Sequence, residues 1–181
     1  MKWFTLSAAA LVAFAVHARA DKPGNRPYVQ SGPDGALYAR CIPDEMIGAA
    51  GTTKIYSVKR GDKDDLIETY DWYAEGGVTL GWSPTAGKVA VMARSFGGEL
   101  NFYLGSKFLA QYSLDDLGKL GVEVAKRRTT AGPDLRAEFR VVGCEQVPGT
   151  NEYNFVIESK GKRFAFDIVT GKTRSEGPIP R

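Results

Sequence analysis

From Ala36 onward, apolar residues recur in short runs of four to eight positions, separated by Gly, Pro, Asp and Ser. This pattern predicts an antiparallel β protein. Strands are expected at 37–42, 53–59, 66–73, 78–82, 88–94, 99–104, 107–112, 122–128, 136–142, 152–159 and 163–170. The clearest unit is the last hairpin, where Tyr153, Phe155 and Ile157 alternate with polar positions, as do Phe164, Phe166 and Ile168. Side chains alternate faces along a strand, so each set lines one buried face. Between them, Ser159-Lys160-Gly161-Lys162 supplies a glycine for a tight turn. A second hairpin joins 99–104 to 107–112 through Gly105-Ser106.

One segment, 113–120, reads as helical. Ser113 can cap the free N–H groups, Asp115 and Asp116 suit the positive end of the helix dipole, and Gly118 and Gly121 keep it short. The predicted fold is mainly β: an antiparallel β-sandwich or partly closed barrel of about ten short strands with one short helix. A propeller-like meander is the alternative. It rests on Leu80-Gly81-Trp82-Ser83-Pro84-Thr85-Ala86-Gly87-Lys88-Val89-Ala90-Val91, which resembles a blade pattern of β-propellers in which a Ser-Pro-x-x-Gly-Lys turn leads into an apolar strand. Gly171-Lys172 ends its strand in a comparable way. No repeat of about 40 residues is visible, so a sandwich or partly closed barrel is preferred.

Upstream the pattern differs. Residues 21–35 hold Pro23, Pro27, Pro33 and three glycines, and read as a flexible N-terminal arm before a single β-rich domain at 36–181. Residues 1–20 read as a cleaved signal peptide: Lys2 forms the positive start, Leu6 to Val16 are apolar apart from Ser7, and Ala18-Arg19-Ala20 has the small-x-small form of a cleavage site. The protein is therefore expected to be exported, to the periplasm or the extracellular space. The apolar run is too short to span a bilayer as a helix, which needs about 20 residues, so the protein is not expected to be membrane-spanning.

Cleavage changes the chemical inventory. It removes Lys2 and Arg19, leaving 22 basic residues against 21 acidic ones and a net charge of about +1, so no nucleic-acid partner is expected. It also removes His17, the one histidine in the chain. A Ser-His-Asp triad, a Cys-His dyad, histidine-ligated zinc and histidine-bound haem each lose a necessary part. No cofactor and no metal are expected. Cys41 and Cys144, the two cysteines, are expected to form one disulfide closing a loop of about 100 residues, worth about 4–5 kcal/mol in the chain-entropy model.

Carboxylate catalysis survives the inventory, since glycosidases work with paired acids. Asp71 and Glu75, which flank Trp72 and Tyr73, are candidates, as are Glu45 and Glu99; solvated surface acids are the simpler account of all four. The cluster Asp62-Lys63-Asp64-Asp65 with Glu68 lacks the spacing of an EF-hand and fits a polar hairpin tip better. Arg60-Gly61-Asp62 spells an adhesion tripeptide but carries no weight in a charged turn. Lys126-Arg127-Arg128 with Arg136 and Arg140 is the most basic region, yet Glu123, Glu138 and Glu145 interleave with it, as on a solvated sheet edge.

The best candidates for recognition are Tyr70, Trp72, Tyr73 and Trp82, because aromatics dominate binding hot spots. Tyr70 and Trp72 should point one way and Tyr73 the other, one set entering the core. The expected function is therefore an exported, non-catalytic binding or interaction domain for an unknown protein, glycan or envelope component. A carboxylate-dependent carbohydrate-active enzyme is the alternative.

Overall fold

The structure is a computed structural model that describes residues 24–61, 63–129 and 132–178. The expected signal peptide lies outside the described residues. The fold is mainly β and sandwich-like, with one short helix and no closed barrel. Fourteen strands among the described residues form four antiparallel sheets. The first sheet is a meander of β1 (Tyr28–Ser31), β2 (Leu37–Pro43), β3 (Gly51–Ser57) and β4 (Asp65–Tyr70). The second contains β5 (Val78–Ser83), β6 (Lys88–Arg94), β7 (Leu100–Leu104) and β8 (Lys107–Tyr112). Helix α1 (Leu114–Leu120) leads to a two-stranded ribbon, β9 (Glu123–Thr129) and β10 (Gly132–Glu138). The last sheet is β11 (Arg140–Gln146), β12 (Tyr153–Ser159), β13 (Lys162–Asp167) and β14 (Thr173–Pro178).

Each of the three four-stranded sheets joins consecutive strands, the connectivity that a propeller-like meander would share. Their stacking defines the core. Along β6, Val89, Val91 and Ala93 enter one apolar cluster with Leu37, Ala39, Cys41 and Ile55 of the first sheet. The intervening Ala90 and Met92 enter another, with Phe155, Ile157, Phe164 and Phe166 of the last sheet. The second sheet is thus covered on both faces. This explains why Val89–Ala93 within β6 reads as an unbroken apolar run rather than an alternation.

The hairpin β12–β13 has the expected register, with Phe155 opposite Phe166 and Ile157 opposite Phe164. Its turn places Lys160 and Gly161 at φ values of 49° and 72°, the two positive angles of a type I′ turn. The helix is capped as expected: Ser113 Oγ accepts from Asp116 N–H at 3.2 Å, and Ser113 N–H donates to Asp116 Oδ2 at 3.1 Å, a capping box.

Three expectations need correction. The segment read as a flexible arm contains β1, paired with Tyr38–Cys41 of β2. Four of the five residues between Pro27 and Pro33 suffice for an edge strand, which tolerates flanking prolines. Tyr28 anchors it, donating from its hydroxyl to the Ala74 carbonyl at 2.8 Å. The strand expected at 136–142 breaks at Phe139 into β10 and β11, which belong to different sheets.

The third correction concerns the expected disulfide: Cys41 and Cys144 are both free. Cys41 is buried in the cluster between the first and second sheets, whereas Cys144 packs against the cluster between the second and last. The β5–β6 layer separates them, and a disulfide requires Cα atoms within about 7 Å. Evenness of cysteine count and an oxidising compartment carry no information about that separation.

Candidate functional site

The four aromatic candidates fall into two environments. Tyr70 ends β4 and is buried; its hydroxyl donates to the Gly105 carbonyl at 2.9 Å. Its ring stacks on Trp72 at 4.8 Å, and Trp72 stacks in turn on Tyr103 at 5.1 Å. Tyr73 turns the other way, packs edge-on against Tyr28 at 5.7 Å and donates to the Arg26 carbonyl at 2.9 Å. Burial raises the Tyr28, Tyr70 and Tyr73 phenols above their ordinary value, so all three stay neutral donors. These rings join the first sheet to the second.

Trp82 stands apart from them. It lies on β5 and is 44% exposed. It forms one wall of a cleft of about 620 Å³ in which the three large sheets meet. The first sheet contributes Leu37 and Ile67, the second Trp82, and the last Cys144 and Tyr153, with Pro84 from the β5–β6 turn. Asp34 and Ser57 add the polar side chains at the rim. Asp34 Oδ1 already accepts from Ala36 N–H at 3.0 Å, the local turn chemistry expected of aspartate.

The seam beside the cleft carries a glycine on β5, Gly81. A Cβ on Gly81 would approach Cys144 Sγ to 2.7 Å, closer than atoms pack, so glycine lets β11 cross β5 at this seam. Burial, followed by the charges of Asp34 and Glu145, pushes the Cys144 thiol up to about 12. The thiolate is the reactive form, so Cys144 is an inert wall of the cleft and no nucleophile.

None of the acidic candidates Glu45, Asp71, Glu75 and Glu99 lines the cleft. Glu75 accepts from Gly48 N–H at 2.9 Å and Phe96 N–H at 3.4 Å, which makes it a tie between loops. Asp71 and Glu45 are exposed. Among the described residues lining the cleft, Asp34 is the one carboxylate, whereas glycoside hydrolysis uses two. No metal-binding group of three or more His, Cys, Asp or Glu side chains occurs among the described residues. Asp62, the first member of the acidic cluster, lies outside them. Asp64 accepts from Tyr38 and Lys59, and Asp65 pairs with Lys59 at 2.6 Å, so this turn is tied by its own charges.

Much of the basic region is neutralised in place. Arg127 pairs with Glu138 at 2.8 Å, Arg136 with Asp134 at 3.0 Å and Arg140 with Glu158 at 2.5 Å. No helix among the described residues is long and apolar enough to cross a membrane. No family model and no curated protein matches the chain.

Proposed function

We propose that this protein is an exported, non-catalytic binding domain that grips an apolar segment of a partner protein in the Trp82 cleft. The half-exposed Trp82, held in a cleft where three sheets converge, is the observation that carries the proposal. A large aromatic at the centre of an apolar concavity is the usual anchor of a hot spot. Pro84, Leu37, Ile67 and Tyr153 line the cleft with Trp82. This lining favours a peptide over a sugar, because sugar recognition needs several polar side chains to satisfy hydroxyl groups. Export is motivated by the composition of residues 1–20.

Peptide-display selection on the immobilised domain tests the proposal. Enriched peptides should carry an apolar residue and bind Trp82→Ala at least about thirtyfold more weakly, the fold-change that matches a 2 kcal/mol hot spot. Peptides that bind both forms equally would remove the cleft from the proposal. A glycan-array signal lost in Trp82→Ala, with no peptide enriched, would assign a sugar ligand instead.

A further inference from the structure

A partly buried guanidinium without a carboxylate beside it keeps a positive charge available to pair with an anion. Arg94, the last residue of β6, is such a group. Among the described residues, the exposed Arg26, Arg40, Arg60 and Arg128 also form no ion pair, but the other partly buried arginines, Arg136 and Arg163, both pair with carboxylates, whereas Arg94 does not. The acid nearest in sequence to its backbone partners, Glu75, is turned to the N–H groups of Gly48 and Phe96.

The side chain is nevertheless held firmly. Arg94 N–H donates to the Gly77 carbonyl at 3.0 Å, Gly76 N–H donates to the Arg94 carbonyl at 2.8 Å, and Arg94 Nε donates to the Gly76 carbonyl at 2.7 Å. A Cβ on Gly76 would come within 2.9 Å of Arg94 Cγ and Nε, so a glycine keeps the path of this side chain clear. The Phe139 ring lies 5.7 Å from its guanidinium carbon. Nε is thus occupied, and among the described residues no hydrogen bond reaches either Nη. Burial lowers the Arg94 pKa, with the Tyr28 phenol opposing, but an arginine stays charged in proteins.

Arg94 lines a pocket of about 340 Å³ at the opposite end of β5 from Trp82. Gln30, Ser31 and Thr79 supply polar side chains, while Met92, Val141 and Val142 supply an apolar wall. We propose that this pocket binds a small monocarboxylate, its two oxygens on the free Nη groups of Arg94 and its alkyl part against Val141 and Val142. The guanidinium fork matches the planar carboxylate bidentately. One cation calls for one negative charge, which favours a carboxylate over a phosphate dianion.

Isothermal titration of the protein with butyrate, butyramide and inorganic phosphate tests this. Butyrate should bind saturably, butyramide not at all, and phosphate more weakly than butyrate. Arg94→Gln should weaken butyrate binding at least tenfold, and Arg94→Lys, which keeps the charge but not the fork, by an intermediate factor. Equal binding of butyramide and butyrate by the unaltered protein, tighter binding of phosphate, or no saturation by butyrate would each overturn the proposal. The amide comparison needs no variant, so it decides even if Arg94→Gln fails to fold.

Discussion

The two cores on either side of the second sheet are built from different aromatics. Between the first and second sheets the large rings are Tyr28, Tyr70, Tyr73, Trp72 and Tyr103, beside a buried Thr53 whose hydroxyl donates to the Trp72 carbonyl at 2.8 Å. Between the second and last sheets they are Phe102, Phe155, Phe164 and Phe166, with Tyr112 at the margin. A phenylalanine core stabilises by excluded area and packing alone. A tyrosine core adds a hydroxyl that must find an acceptor. In this protein Tyr28, Tyr70 and Tyr73 each find a backbone carbonyl in a loop or flanking segment: Ala74, Gly105 and Arg26. The first core therefore fixes loops as well as sheets. The Arg94 pocket, bordered by the Gly76-Gly77 turn just after Ala74, takes Gln30 and Ser31 from the first sheet and Val141 and Val142 from the last.

The largest expected effect is on the phenylalanine side. Phe166→Ala removes a fully buried ring stacked on Phe102 at 5.1 Å and should cost about 3–5 kcal/mol in chemical denaturation. A loss as small as that of a tyrosine hydroxyl would erase the distinction between the cores.

Asp167, next to Phe166, should come second. Its burial raises the pKa, but hydrogen bonds from Thr170 and Val169 and the Arg174 guanidinium outweigh it and hold the carboxyl below its usual range. A depressed folded-state pKa means that the contribution is complete above the unfolded carboxylate range, near pH 4, and fades as pH falls through the lower folded value. Denaturation midpoints should drop on acidification below about pH 4, and Asp167→Asn should reduce that slope while costing about 2 kcal/mol at neutral pH. An unchanged acid slope in Asp167→Asn would exclude this carboxyl as a source.

Gly81→Ala, at the seam where both cores approach β5, should cost about 1–3 kcal/mol by overpacking. Cys144→Ala should restore much of it, because the Cβ of residue 144 already lies at an acceptable 3.5 Å. Additive losses in the double variant would show that the two positions do not touch.

Tyr70→Phe keeps the ring but leaves the Gly105 carbonyl without its donor, for about 1 kcal/mol. Hydrogen exchange should quicken mainly in the β7–β8 turn; uniform quickening would assign the hydroxyl a global role. The smallest effect is expected from reductant. With both thiols free, the melting temperature should be the same with and without dithiothreitol, and a drop of several degrees would restore the disulfide.

The sequence was most informative where one periodicity ruled. The alternation of Tyr153, Phe155 and Ile157 marks a strand with one principal core face, and the turn at Lys160-Gly161 fixes its register. It was least informative where stability depends on partners distant in the chain. Strand β1 has four residues between prolines and exists because β2 offers it an edge. The bend at Phe139, which ends β10 and begins β11, has no proline to announce it. Among site residues, Trp82 and Tyr70 look alike as strand aromatics, and only the arrival of Tyr103 and Trp72 beside Tyr70 separates core from cleft. For Arg94, the sequence shows an arginine closing the apolar run Val89–Ala93 and the paired Gly76-Gly77. Their juxtaposition is not visible there, because it depends on the β5–β6 register, with Val78 opposite Ala93.

Because each large sheet is made of neighbours in sequence, its strands can pair while the chain is still being synthesised, without waiting for distant segments. The stacking of sheets is what must wait. When β8 has been made, Val89 and Val91 already have the first sheet to cover them, but Ala90, Met92 and Phe102 have no cover until β12 and β13 follow. For that interval of some 50 residues, the nascent protein presents one finished sandwich with an oily outer wall. A chaperone that meets the chain mid-synthesis would find its binding surface there.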